Sequence, residues 1–214
     1  MEGVIYAAMF HQKVELPQPF ETLPTVLVDC YSADIAFPSA VPDEVQGGKL
    51  ATDKLLEKGH KRIAIITNDR LDVGHPAPKG RFTGYRQALE KAGVAFDAQL
   101  FLEGEGTATS GYTCTQTLMR LKTPPTAIFC CTDRMAMGVY DALKELDLNI
   151  PNDVAVVGFD NQEVIAAFLR PPLSTVALPH YEMGRWAIEQ LLDAGADRTV
   201  QRLVPCPFVA RDSI

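Results

Sequence analysis

No stretch of this 214-residue chain is long and apolar enough to cross a bilayer as a helix. Its apolar runs are strand-sized and 22% of its residues are charged. The opening residues Met1-Glu2-Gly3-Val4-Ile5 put an acid where a secretory leader needs a basic start, and they read as part of a strand. Positive charge is in deficit: the formal net charge is −7, so the chain as a whole is a poor electrostatic partner for DNA or an anionic membrane. Five cysteines (Cys30, Cys114, Cys130, Cys131, Cys206) form neither a CxxC nor a zinc-type spacing with histidine. Buried reduced thiols and a cytoplasmic location are the expectation.

Catalytic signatures are missing too. There is no Gly-x-Ser-x-Gly, no His-Glu-x-x-His and no Walker lysine. His11, His75 and His180 are too scattered to suggest a triad or a metal. Gly104-Glu105-Gly106 lacks the third glycine of a dinucleotide fingerprint and places glutamates where a pyrophosphate needs amides. The expectation is therefore not an enzyme, with no cofactor and no metal.

What is present is alternation. Short apolar strands at Val26–Val28, Arg62–Ile66, Gln99–Leu102, Ala127–Cys131 and Asp153–Gly158 alternate with helical patterns at Glu44–Lys58, Arg81–Ala92, Ser110–Leu121 and after Asp133. A last helix is expected around 181–194 and a last strand at Arg202–Val204. The pattern predicts α/β architecture with parallel sheets and helices on both faces. The run Ala127 to Gly138 is the sharpest case: a buried strand stops at Thr132-Asp133, and a helix with Asp133 as its N-cap begins at once. Such junctions lie at the carboxyl edge of a sheet, where open α/β folds bind ligands. Residues 32–42 are poorly patterned, and Pro171–Val176 reads as a proline-stiffened strut between two lobes.

A series of short motifs in order resembles the effector-binding core of LacI/GalR-type transcriptional regulators. They are Gly59-His60 with Ile63, Arg81 with Gly84-Tyr85, Pro125–Phe129, Asp133 with Met135-Ala136 and Gly138, and Ile150-Pro151 with Asp153-Val154. Gly158-Phe159-Asp160, Pro171–Val176, Met183-Gly184 and Arg211 with Ser213 complete the series. The resemblance implies two parallel-sheet three-layer lobes of periplasmic-binding-protein type I kind, the first truncated at its N-terminus. Residues 1–31 and 179–200 are expected in the N-terminal subdomain, 32–178 and 201–214 in the C-terminal one. The helix-turn-helix headpiece of such regulators is not found here, so operator DNA would be reached only through a headpiece absent from this chain. The resemblance further implies a small effector, a sugar or sugar derivative, in the interlobe cleft, and a homodimer with no membrane contact. The alternative is a periplasmic-type sugar-binding protein of a transport system.

Four positions carry over as effector contacts. Asp29 and Asp160 are strand-end carboxylates able to accept hydrogen bonds from sugar hydroxyls. Arg81 is expected to open its helix, where the dipole disfavours a cation and a ligand or neighbouring acid would compensate. Thr132 stands where the family presents a small polar residue. Asp133, Gly106 (where several relatives place a stacking aromatic) and His75 in the loop Asp69–Gly80 are secondary candidates. On this reading, alanine at Arg81 or Asp160 abolishes ligand stabilisation and leaves the ligand-free melting point nearly unchanged.

Overall fold

The computed structural model describes residues 3–17, 20, 22–32, 37–193 and 195–214. In chain order the first elements are β1 (Val4–Lys13), β2 (Thr25–Tyr31), β3 (Ser39–Pro42), α1 (Glu44–Glu57), β4 (Ile63–Thr67), α2 (Pro76–Lys91) and β5 (Phe101–Glu103). There follow α3 (Ala108–Met119), β6 (Ala127–Cys130), α4 (Asp133–Glu145), β7 (Ala155–Asp160), α5 (Glu163–Ala166), β8 (Ser174–Ala177), α6 (His180–Leu192), β9 (Gln201–Val204) and β10 (Phe208–Val209). The chain divides into two compact units: Met1–Asp43, His75–Ala77 and Pro179–Cys206 in one, and Glu44–Gly74, Pro78–Leu178 and Pro207–Ile214 in the other.

The first unit is a four-stranded parallel sheet in the order β1-β2-β3-β9. Helix α6 covers it through Met183, Trp186 and Ala187, which pack on Val26, Ala40 and Val204. Burial of these side chains at roughly 25 cal/mol per Å² of apolar area is what holds a helix of this length. Residues 39–42 and 201–204 pair with each other in this sheet, so its boundaries run to Asp43 and Cys206 instead of Tyr31 and Val200. The four-residue β3 is too short to show periodicity, which is why the stretch reads as unpatterned.

The second unit is a six-stranded sheet in the order β10-β8-β7-β6-β4-β5, parallel except for the β10–β8 pair. Every residue of β4 and β6 is buried, as unbroken apolar strands covered on both faces should be. Leu118 of α3 and Met135, Val139 and Leu143 of α4 fill one side of the sheet against Ala64, Ile128 and Val156. His60 is a structural side chain, its Nδ1 lying 3.0 Å from the Thr126 hydroxyl in the turn before β4.

Two expectations fail in this unit. The segment after Pro171-Pro172 is no strut: Ser174–Ala177 forms β8, hydrogen-bonded between β7 and β10. The prolines precede the strand, so the ladder loses no donor. Helix α2 starts at Pro76, five residues before Arg81, because proline suits the first helical turn, where its missing N–H is not needed. All five cysteines are free thiols; Cys30, Cys130, Cys131 and Cys206 are buried. Burial pushes the Cys30 thiol up to about 11 and the Cys131 thiol up to about 12, so neither is a nucleophile at neutral pH.

Candidate functional site

The carboxyl ends of β6 and β7 bring together three of the expected residues. Asp160 ends β7 with φ of +105°, and Asn161 follows at φ of +53°. Backbone in this region is costly for residues other than glycine, and such strain concentrates where a side chain must be aimed. Asn161 is held by Arg211, whose Nη2 donates to its Oδ1 at 2.8 Å while Nη1 donates to the Leu173 carbonyl at 2.8 Å. The C-terminal tail thus braces the turn that presents Asp160.

Arg81 lies in the second turn of α2, not at its start, so the helix dipole is not what its charge answers to. Its nearest partner is a residue the sequence does not single out. Nε donates to Oε2 of Glu44, in the first turn of α1, at 2.7 Å, and both side chains are only 4% exposed. Nη1 donates to the Cys131 carbonyl and reaches Asp160 Oδ1 at 3.5 Å. The guanidinium carbon stands 3.7 Å over the Phe159 ring centre, a cation–π contact. Burial by itself would lower the pKa of Arg81, but the charges of Glu44 and Asp160 and the Glu44 hydrogen bond outweigh it and raise it. The arginine is a permanent cation.

Asp160 behaves in the opposite sense. Burial pushes its carboxyl up to about 6 against the pull of Arg81, and the nearby charge of Glu44 adds to the rise. Its other oxygen accepts from the Gln162 side chain at 3.3 Å.

At the neighbouring junction the helix cap falls one residue earlier than expected. Thr132 is the N-cap of α4, its hydroxyl accepting from the Met135 amide at 3.2 Å, and Asp133 is the first helical residue. Both residue types cap well, and the sequence alone places a cap only to within a residue. Asp133 is fully buried: Oδ2 accepts from the Gln162 amide at 2.7 Å and Oδ1 from the Thr175 hydroxyl at 2.6 Å. It ties α4 to the β7–α5 turn and to β8, and an added Cβ on Gly158 would strike it. Thr132→Ala is expected to destabilise by about 1 kcal/mol through loss of the cap, and Thr132→Ser to stay near the parent. Denaturant midpoints measure both.

Burial pushes the Asp133 carboxyl up to about 7, the hydrogen bonds from Thr175 and Gln162 opposing the rise. A carboxyl raised on folding holds its proton in the native chain while the unfolded chain has lost it. Stability from this group is therefore greatest below the unfolded pKa of about 4 and falls as pH rises toward 7. Thermal melts of the parent and Asp133→Asn between pH 4.5 and 7.5 test this. The parent should lose ground to the variant as pH rises, by about 2 kcal/mol or more, since one pKa unit corresponds to about 1.4 kcal/mol.

The remaining candidates stand elsewhere. Asp29 and His75 belong to the first unit. Asp29 is buried and sits at φ of +56° inside β2, which runs on to Tyr31, so it marks a kink and not a strand end. The His75 ring faces Phe10 edge-on at 6.3 Å. Gly106 turns with φ of +69° beyond β5, beside Asn68; an aromatic side chain at this position would have to adopt a backbone it rarely takes. Among the described residues no cluster of histidine, cysteine or acids could hold a metal ion, and no helix is long and apolar enough to cross a membrane.

The missed residue, Glu44, had one signal: an acid opening a helix with a small-residue face that includes Gly48. An acid there is already accounted for by the helix dipole, so nothing in the sequence asks for a buried partner.

Comparison with known proteins gives this geometry a context. Residues 52–214 match the family described as "Periplasmic binding protein-like domain". The chain is 35% identical over 194 residues to the HTH-type transcriptional repressor CytR of Escherichia coli K12, covering 89% of this chain and 55% of that protein. It is 34% identical over 171 residues to the ribose operon repressor of Haemophilus influenzae, covering 80% and 50% respectively. The chain thus spans about half the length of these curated relatives. Among solved structures, a LacI-family transcriptional regulator protein from Rhizobium etli superposes with a TM-score of 0.89 at 30% identity, covering all of this chain and 78% of the other.

Proposed function

The chain belongs to the family of periplasmic binding protein-like domains, in the form carried by LacI-family transcriptional regulators, and on that premise we propose that it is the ligand-sensing core of such a regulator. The effector is a sugar or sugar derivative bound at the carboxyl edge of the second unit's sheet. The observation that carries this reading is Arg81 and Asp160 meeting there: a planar donor seated on the buried Phe159 ring, beside a carboxylate acceptor. Hydroxyl groups both donate and accept, so a polyol matches such a mixed set. Thr132, a partly buried residue, adds a hydroxyl whose oxygen is already used by the cap and whose hydrogen would serve a ligand.

Both curated relatives are repressors, which supports a role in controlling transcription and disfavours both transport and catalysis. The effector would act through a difference in affinity between two arrangements of the protein, and operator DNA would be reached through a separate headpiece. A homodimer suits palindromic operators. The apolar Val164 and Phe168, 80% and 70% exposed at and just after α5, are the surface we assign to it. Free thiols throughout agree with a cytoplasmic protein.

A thermal-shift screen of pentoses, hexoses and nucleosides tests the reading. A true effector at a hundred times its Kd should stabilise by about 2.7 kcal/mol. Because Asp160 gains its proton near pH 6, the Kd should weaken as pH falls from 7.5 to 5, the protonated acid having lost acceptor capacity. A screen with no stabilising sugar, or a Kd flat across that range, would count against it.

A further inference from the structure

An arginine buried at a sheet edge is by default a good anion site, since its fork matches phosphate and carboxylate. Here that capacity is already taken. Glu44 Oε2 holds Nε at 2.7 Å, and the Cys131 carbonyl and Asp160 share Nη1. One cation stands between two carboxylates, and a third acid, Asp133, lies close enough to Asp160 for that charge to raise its own pKa. Two further arginines act on this group. Arg211 spends its guanidinium on the Leu173 carbonyl and Asn161, and Arg134 is an exposed side chain on α4, where water screens it. The buried charge at the edge is therefore negative.

We infer that Glu44 is a specificity-determining residue: by neutralising Arg81 within a buried pair it turns the site toward neutral, hydroxyl-rich ligands and against phosphate esters and carboxylates. The inference rests on the proposed sugar-sensing role of this edge. Glu44 acts through Arg81, as a positioning and charge-setting residue. It leaves Nη2 as the donor for a ligand hydroxyl, since the hydrogen bonds of the guanidinium to described residues run from Nε and Nη1. Discrimination of this kind is built by repulsion of the wrong ligand as much as by attraction of the right one.

The test is calorimetric titration of the whole chain at pH 7.5 with matched pairs: D-ribose and D-ribose 5-phosphate, adenosine and its 5′-monophosphate, D-glucose and its 6-phosphate. Melting with inorganic phosphate alone accompanies it. The parent should bind a neutral member at least tenfold more tightly than its ester and show no stabilisation by 10 mM phosphate. Glu44→Gln, which keeps an amide oxygen for Nε, should shrink that ratio at least tenfold and acquire a phosphate response. Glu44→Asp, which restores the charge, should return the parental preference. An unchanged ratio in Glu44→Gln beside intact sugar binding overturns the role of Glu44 alone. Failure of every neutral compound to bind the parent overturns the sugar-sensing reading and this inference with it. Should Glu44→Gln not fold, the parent still decides: equal affinity for sugar and ester, or stabilisation by phosphate, refutes the proposal.

Discussion

Arg81→Ala is expected to lower the unfolding free energy by about 3–5 kcal/mol and to abolish effector-induced stabilisation. The magnitude follows from what remains behind. Glu44, 4% exposed, is left buried without the guanidinium that offsets the loss of its water, and Asp160, 14% exposed, loses the strongest influence drawing its pKa down. Removing one partner of a buried ion pair costs far more than removing both, because the orphaned charge cannot regain its water. The double variant Arg81→Met, Glu44→Leu should therefore be more stable than Arg81→Ala while still failing to bind effector. Denaturant midpoints of the ligand-free proteins decide the matter. This corrects the sequence-based expectation that alanine here leaves the ligand-free melting point almost unchanged. That expectation treats Arg81 as a group waiting for a ligand, whereas the fold already uses it. A ligand-free Arg81→Ala melting with the parent would show that the Glu44 pair contributes nothing.

Gly84→Ala should be nearly as damaging, at about 3 kcal/mol, the upper end of what overpacking produces. A Cβ at Gly84 in α2 would fall under 3.0 Å from the Val45 carbonyl oxygen and the Lys49 amide nitrogen of α1, and one at Gly48 would collide with the Arg81 backbone. Each clash is with backbone, so a side-chain rotation cannot relieve it. The two helices approach this closely because each presents a glycine to the other, and that approach seats Glu44 beside Arg81. Forcing them apart should also cost effector affinity, although residue 84 touches no ligand. Gly184→Ala is the control: nothing lies within 4 Å of a Cβ there, and alanine in a helix interior should stabilise by up to about 1 kcal/mol. Equal melting points for the two glycine variants would remove the packing argument.

Much of the second unit is legible in the sequence. Ile63–Thr67 and Ala127–Cys130 are unbroken apolar runs of strand length, and only a strand covered on both faces needs such a run. Helix α1 ends where Gly59 can take a left-handed backbone, at φ of +91°. Thr132 and Asp160 follow from position, since strand ends in parallel sheets gather at one edge; Arg81, in the second turn of α2, comes from the resemblance. Ser174–Ala177 is harder to read: its prolines argue against a central strand, and only the pairing with β7 and β10 shows that they fall outside the ladder.

The sequence by itself determined the class of fold, the family and the edge of the sheet where polar groups collect. All three depend on local pattern and order along the chain, which one-dimensional information carries in full. Tertiary structure alone decided the electrostatics. Glu44 and Arg81 are 37 residues apart, and Asp133 and Thr175 are 42 apart. Each of these residues has an adequate local reading: dipole-favoured acid, surface cation, helix cap, strand threonine. Only when two helices close on facing glycines and the sheet brings its strand ends together do these groups lose their water and take each other as partners.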